Sequence, residues 1–361
     1  MEAVILPKNN SDFFKKKKLW SEVKDQLLCC YLTPYFQKVL RTGKPIFYVD
    51  CFAGKGRFDD GEPGSPIIAL DARKSCLSKT KSQRGSIEAC FIEPDYAEEL
   101  KENIAGYCSE DGQVKVISGK YGEKIEELLS DKKGYNVFLY IDPYGIKALD
   151  SVLFEKFDEY CLNSLEILVN FNSFGFFRNA CSVMRVEYEH DEAFSNLDDL
   201  VEYTPTKLKV SKTSEDLLTR IAGGDYWKNI VRDYQAGKIN GYKAEKRLST
   251  EYKQWLKKRF QFVLDMPIRL KSGNRPKYRM IHVCGHRDGC LLMAKNMLKR
   301  KDFLFINVQQ RGQLSLADFD PALSSTVENE LMSKSHIAEL LREHLSKNSH
   351  EVRLKEPLNK N

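Results

Sequence analysis

The stretch Tyr48-Val49-Asp50-Cys51-Phe52-Ala53-Gly54-Lys55-Gly56-Arg57-Phe58 decides the fold. With Ile46 and Phe47 before it, it is a short run of β-forming residues that ends on a carboxylate and breaks at two glycines. Gly54 and Gly56 allow the backbone to turn tightly and to approach a ligand closely. The pattern is not G-x-G-x-x-G, because position 59 is Asp, and no Gly-Lys-Ser/Thr follows to make a phosphate-cradling loop. A strand that ends in this way puts its loop at the carboxyl edge of an open α/β sheet, where ligands bind.

Working outward, comparable apolar runs recur at 89–92, 114–117, 137–141 and 165–171, separated by helical stretches at 96–105 and 121–129. An amphipathic helix over 20–42 precedes them and stops at Thr42-Gly43. Short buried strands alternating with helices predict a Rossmann-like, doubly wound parallel sheet. The pattern changes after Phe177. Residues 178–258 read as helical, with breaks at Gly223-Gly224 and Gly237. Two strands, 260–270 and 278–285, joined by a turn at 271–277, then predict an antiparallel edge hairpin. A helix over 290–300 and one more short apolar run at 303–308 follow. The expected organisation is a cofactor-binding half at 1–177, a helical insertion at 178–258, a hairpin and helix completing the sheet at 259–308, and a polar tail at 309–361 with a helix at 336–345.

Of the 361 residues 42% are apolar and 30% charged, which excludes a disordered or collagenous chain. No apolar run approaches the ~18 residues of a membrane span. The basic run Lys15 to Lys18 has no apolar segment behind it, unlike a secretory signal. A soluble, cytoplasmic protein without membrane partners is the expectation. The ten cysteines are scattered and read as reduced, buried hydrophobes. His282, Cys284, His286 and Cys290 carry ligand-type groups, but no second pair at metal spacing occurs, so a packed strand end is expected in place of a metal site.

The net charge of +6 is unevenly spread. Residues 238–279 hold 13 Lys or Arg against three carboxylates, interleaved with Tyr242, Tyr252, Trp255, Phe260 and Tyr278. Such a segment suits phosphate contacts and base stacking, with Lys257, Lys258, Arg259, Lys271 and Arg275 as the expected nucleic-acid contacts. The alternative is a solvated helix face. Glu187, Glu189, Asp191, Glu192, Asp198, Asp199 and Glu202 form the opposite extreme, an acidic stretch without Lys or Arg.

Two further strand tips carry acids. The second strand ends Ile92-Glu93-Pro94, and a carboxylate there suits the hydroxyls of a ribose. The fourth ends Ile141-Asp142-Pro143-Tyr144-Gly145. Each feature has an ordinary structural explanation, as a turn, a helix N-terminal acid or an Asp-Pro turn opener. Three at the ends of strands one, two and four are much harder to dismiss.

These motifs resemble those of class I S-adenosylmethionine-dependent methyltransferases. More narrowly, the chain is similar to the three-Cys-motif partner protein (TcmP) family. That likeness is carried by Trp20 and Lys24, Phe52-Ala53-Gly54, Gly64-Ser65-Pro66, Ile141-Asp142-Pro143-Tyr144-Gly145 and Tyr278-Arg279-Met280-Ile281 with His286 and Met293. The resemblance implies S-adenosylmethionine as cofactor, with Asp50, Phe52, Ala53, Gly54 and Gly56 around its methionine part and Glu93 at the ribose. It implies Asp142, Pro143 and Tyr144 as catalytic residues, and a partner protein encoded nearby. The Asp-Pro-aromatic-Gly order also resembles the signature of tRNA guanine-N2 dimethyltransferases. The expected function is methylation of a base nitrogen in RNA or DNA. The alternative is a non-catalytic Rossmann-like platform that binds nucleic acid or another protein, and a dehydrogenase is disfavoured by the missing third glycine.

Overall fold

The computed structural model describes residues 14–310 apart from 79–84, 109–111, 144, 147–148, 150–153, 155, 195–207, 209, 269–275 and 277. The chain opens with helix α1 (Leu19–Leu40) and then alternates strand and helix: β1 (Ile46–Asp50), α2 (Ser65–Ser78), β2 (Ile87–Glu93), α3 (Ala97–Ile104), β3 (Val114–Ser118), α4 (Tyr121–Ser130), β4 (Asn136–Ile141) and β5 (Ser164–Phe171). Helices α5 (Ser173–Val183), α6 (Lys212–Ala222), α7 (Tyr226–Gln235) and α8 (Gly241–Leu256) interrupt the alternation. Then β6 (Phe262–Ile268), β7 (Tyr278–Cys284) and α9 (Arg287–Gln310) follow.

The strands form a seven-stranded sheet in the order β3-β2-β1-β4-β5-β7-β6. The first five are parallel, while β7 runs antiparallel to both β5 and β6. This is the Rossmann-like sheet with an antiparallel edge hairpin that the alternating pattern predicts. Central β1 and β4 are buried along their whole length because helices cover both faces, whereas edge strand β3 is mixed.

Register fixes where the strand tips lie. Asp50 pairs with Phe91 on one side and Tyr140 on the other, and Tyr140 pairs with Leu168. Side chains alternate along a strand, so Asp50, Glu93, Asp142 and Asn170 all belong to one face at the carboxyl edge. Helix α1 covers that face through Val23, Leu27, Tyr31, Tyr35 and Phe36, all buried at helical spacing. The opposite face, with Val49, Leu139, Val169 and Ile281, packs against Trp227, Leu248 and Tyr252 of the helical insertion.

The insertion is tied to the sheet by one buried ionic network. Arg279 of β7 donates to both oxygens of Glu245 on α8 at 2.6 and 3.0 Å, and to Asp265 of β6 at 2.7 Å. Lys253 also reaches Asp265, at 2.9 Å, and the Ser173 hydroxyl donates to Glu245.

Several details depart from the expected organisation. Residues 303–308 are not a separate apolar run but part of α9. The long first crossover contains α2, and α5 begins at Ser173, so Phe177 lies inside it. Described residues up to Asn307 belong to one compact unit. The hairpin turn at 271–277 lies outside the described residues except Pro276, and the 336–345 helix and the acidic stretch from 195 to 202 lie wholly outside them. All ten cysteines are free, but Cys29, Cys30, Cys108 and Cys161 are exposed and not core residues. Among the described residues no helix is long and apolar enough to cross a membrane.

Candidate functional site

The loop after β1 is held by backbone groups that the strand tips aim at it. Gly54 takes φ +61°, a left-handed conformation that glycine adopts without strain, and its N–H donates to Glu93 Oε2 at 2.7 Å. Glu93 Oε1 accepts from the N–H groups of Asp95 and Tyr96 at 3.0 and 3.2 Å. Glu93 therefore moulds the glycine loop from the tip of β2. A carboxylate has roughly four acceptor sites, and three are used, which leaves about one for a hydroxyl. Burial raises the Glu93 pKa, with these three N–H groups opposing it.

Gly56 also has a packing role: it takes φ +79°, and a Cβ there would lie 2.7 Å from Leu100 on α3, so this glycine permits close packing of loop on helix. Gly56 also accepts from the Gly64 N–H at 2.8 Å, which closes the loop on itself. Ala53 is buried with its N–H on the Ile92 carbonyl, and the half-buried Phe52 ring packs on Tyr121. The segment before α1 is strapped over this loop. Phe14 packs on Phe58 and Tyr96, its carbonyl accepts from the Asp59 N–H at 2.8 Å, and Lys17 reaches the Pro63 carbonyl at 2.7 Å.

Asp50 is fully buried at the tip of β1. Its Oδ1 accepts from the Phe52 N–H at 3.2 Å, while Oδ2 is buried with no donor. Burial pushes its carboxyl up to about 7, opposed by the nearby Ser65 hydroxyl, which is outside hydrogen-bond geometry, and by the Phe52 N–H, and reinforced by Asp142 and Glu93. Asp25 on α1, ion-paired with Lys17 at 2.7 Å, is likewise pushed up by burial to about 6.

Asp142 is less free than the sequence suggests. Its Oδ2 lies 2.7 Å from Lys24 Nζ of α1 and accepts from Tyr140 OH at 3.2 Å. Its Oδ1 accepts from Asn170 Nδ2 at 2.7 Å. Both oxygens already have donors, one of them a buried ammonium, so three of the roughly four acceptor sites of this carboxylate are used. Pro143 follows at intermediate exposure, and Tyr144 lies outside the described residues. Local sequence does not mark Asp25 or Asn170 as site residues, and Lys24 enters the sequence reading only through the family resemblance. The one local signal for Asn170 is a polar residue at the tip of the apolar run 165–171.

The expected nucleic-acid residues do not gather around this site. Lys257, Lys258 and Arg259 are exposed, but they lead into Phe262, which is level with Glu166 near the start of β5. That is the opposite edge of the parallel sheet, more than about 13 Å of strand rise from Asn170. Tyr252, Trp255 and Phe260 are buried in the core and cannot stack on a base, because the helix turns its apolar face inward. Lys271 and Arg275 lie outside the described residues. His282 is fully buried and shares Glu166 with Tyr31, at 3.2 Å for the histidine. Among the described residues no group of three or more His, Cys, Asp or Glu is arranged to hold a metal.

No protein-family model matches the chain, and no curated protein matches it. Among solved structures it is similar to yhhF of Escherichia coli, assigned as a methyltransferase, at 20% identity and TM-score 0.23 over 34% of this chain; the match spans 57% of that protein's length. It is also similar to the plantazolicin methyltransferase BamL, solved with a triazolic desmethylPZN analog and SAH, at 9% identity and TM-score 0.32 over 76% of this chain and 89% of that one. A cyclopropane-fatty-acyl-phospholipid synthase-like protein from Lactobacillus casei matches at 9% identity and TM-score 0.31, over 76% of this chain and 97% of that one. The strand order and register, not these likenesses, define the fold described above.

Proposed function

We propose that this protein is an S-adenosylmethionine-dependent methyltransferase whose acceptor is a nitrogen of a nucleic-acid base. The observation that carries the cofactor is Asp50: a buried carboxylate oxygen without a donor, at the tip of β1 beside a left-handed glycine turn. Leaving such an acceptor unmade costs about 1–3 kcal/mol, so a donor-bearing ligand is the natural partner. A cationic ammonium suits Asp50, and a ribose hydroxyl suits the remaining acceptor site on Glu93. When bound, such a cofactor would be held by Asp50 and Glu93 and would supply an electrophilic methyl group to the acceptor nitrogen, whose proton is released to solvent as product leaves. The chain's own residues contribute orientation and exclusion of water, and positioning of this kind carries much of the barrier reduction in such reactions.

Titration calorimetry with S-adenosylmethionine and S-adenosylhomocysteine tests the cofactor, and transfer of labelled methyl groups to bulk RNA and DNA tests the reaction. Absence of heat with both ligands would remove the reading. Binding without transfer to either nucleic acid would favour the non-catalytic platform, a reading supported by the bonds Asp142 already makes with Lys24, Tyr140 and Asn170.

Glu93→Ala is expected to lower cofactor affinity by roughly tenfold to a hundredfold, the equivalent of about 1.5–3 kcal/mol. It also strands the Gly54 N–H, so the thermal midpoint should fall with the affinity. A Glu93→Ala protein that binds as tightly as the parent would detach Glu93 from the cofactor.

Neutralising Lys257, Lys258 and Arg259 together should weaken binding of a 20-nucleotide single strand and reduce its salt slope by about 2. The cluster lies at the far edge of the sheet, so a dinucleotide should bind the parent and the variant alike. Fluorescence anisotropy across a salt series reads both, and an unchanged slope would make the run a solvated surface.

A further inference from the structure

We propose that Asn170, and not Asp142, is the residue that recognises the acceptor, taking an N–H of an uncharged base on its side-chain oxygen. The proposal rests on the methyltransferase reading and narrows its substrate. Asn170 Nδ2 donates to Asp142 Oδ1 at 2.7 Å. A carboxylate can only accept, so this bond fixes which end of the amide faces Asp142. The amide oxygen then points away, and it is buried with no donor on a residue that is 3% exposed. Buried carbonyl oxygens nearly always have a partner, and one left without is a feature to be explained.

Its place in the sheet supplies the explanation. Asn170 is level with Asp142 and belongs to the same face as Asp50, two strands away. Asp50 is level with Leu168, two residues short of Asn170, so two strand spacings and two residues of rise set the two Cα atoms about 12 Å apart. That separation between two described acceptors without donors, Asp50 Oδ2 and Asn170 Oδ1, suits a cofactor and an acceptor lying side by side.

Charge selects what each acceptor takes. Asp50 is an acid and suits a cation. Beside Asn170, the negative charge of Asp142 is balanced by the Lys24 ammonium at 2.7 Å. A neutral amide next to a compensated ion pair suits a neutral N–H, such as the exocyclic amine of a base, and disfavours a protonated amine, which would need an unbalanced carboxylate. Lys24 and Asp142 are positioning residues in this scheme, since they orient Asn170 and do not touch the acceptor.

The test uses the full chain saturated with S-adenosylhomocysteine. Ligand-observed NMR measures the affinity of adenosine, guanosine and cytidine and of the N-dimethylated counterpart of whichever binds best. The unmutated protein should prefer the N–H-bearing nucleoside by roughly tenfold or more. Asn170→Ala should lose that preference while keeping S-adenosylhomocysteine affinity within about twofold. Lys24→Met should lose it as well and Lys24→Arg should retain it, a rescue that a purely architectural lysine would not give. The comparison of parent nucleoside with dimethylated analogue in unmutated protein stands even where a variant fails to fold. Three results overturn the proposal: no nucleoside binds the complex, the dimethylated analogue binds equally well, or a folded Asn170→Ala protein keeps the preference. If S-adenosylhomocysteine itself does not bind, the methyltransferase reading falls and this proposal falls with it.

Discussion

Arg279→Ala is expected to destabilise the protein by about 3–5 kcal/mol. The guanidinium bridges two carboxylates from different elements, Glu245 of α8 in a two-point contact and Asp265 of β6, with Arg279 and Glu245 almost wholly buried. Removing it takes both charged donors from Glu245 and leaves it the Ser173 hydroxyl, while Asp265 keeps Lys253. An uncompensated buried carboxylate is costly because neither water nor a counter-ion replaces what it lost. Urea unfolding read by circular dichroism measures the loss. Faster amide exchange in α8 should accompany it, since this network fastens that helix to the sheet. The double variant Arg279→Met with Glu245→Leu should recover at least half of the loss, as apolar replacement of a buried pair often does. A single variant within about 1 kcal/mol of the parent would show that the network contributes little.

Asp50→Asn should separate binding from stability. In the free protein burial holds the Asp50 carboxyl neutral up to about 7, far above its ordinary 3.8. A cationic ligand needs the ionised form, so affinity should rise with pH, by up to about tenfold per unit below 7, and level off above it. The Asp50→Asn protein should bind roughly tenfold to a hundredfold more weakly and lose this pH dependence.

Stability moves the other way. Between about 4 and about 7 the unfolded chain has released this proton while the folded protein retains it, so stability falls as pH rises through that window. Asp25, held up to about 6, adds to the same fall over its own narrower range. Asparagine removes the cost at Asp50, and at pH 8 the variant should be more stable than the parent by a few kcal/mol, to order of magnitude. Calorimetry and thermal midpoints from pH 5.5 to 8.5 check both signs. A variant that binds normally, or that is less stable at pH 8, would contradict the role given to Asp50.

Glu93 and Asn170 show how differently two strand tips can be read. Glu93 interrupts an apolar run with an acid followed by proline, and that local contrast marks it. Asn170 sits close to Asn172 at a strand end, where polar residues are commonplace, and only the Asp142 bond and the orphaned oxygen single it out. Gly54 and Gly56 look alike in the loop. Their separation into a loop bonded to Glu93 and a packing contact with Leu100 needs α3 in place.

The basic segment is open to a closer reading than its composition allows. Ala244, Leu248, Tyr252 and Leu256 recur every four residues and mark the inner face of α8, so Tyr252 and its neighbour on that face, Trp255, belong to the core. Counting aromatics near lysines hides that periodicity.

By itself the sequence determined the parallel core, the antiparallel hairpin and the acids at three strand tips. Apolar periodicity and turn residues act within a few positions of themselves, so they are written locally. Tertiary structure alone decided which groups meet across the sheet. Lys24 finds Asp142 across 118 residues, Asn170 finds it across 28, and the Lys257 to Arg259 run lands at the far edge. Those outcomes depend on strand order and register, which place distant residues side by side only after the sheet is assembled.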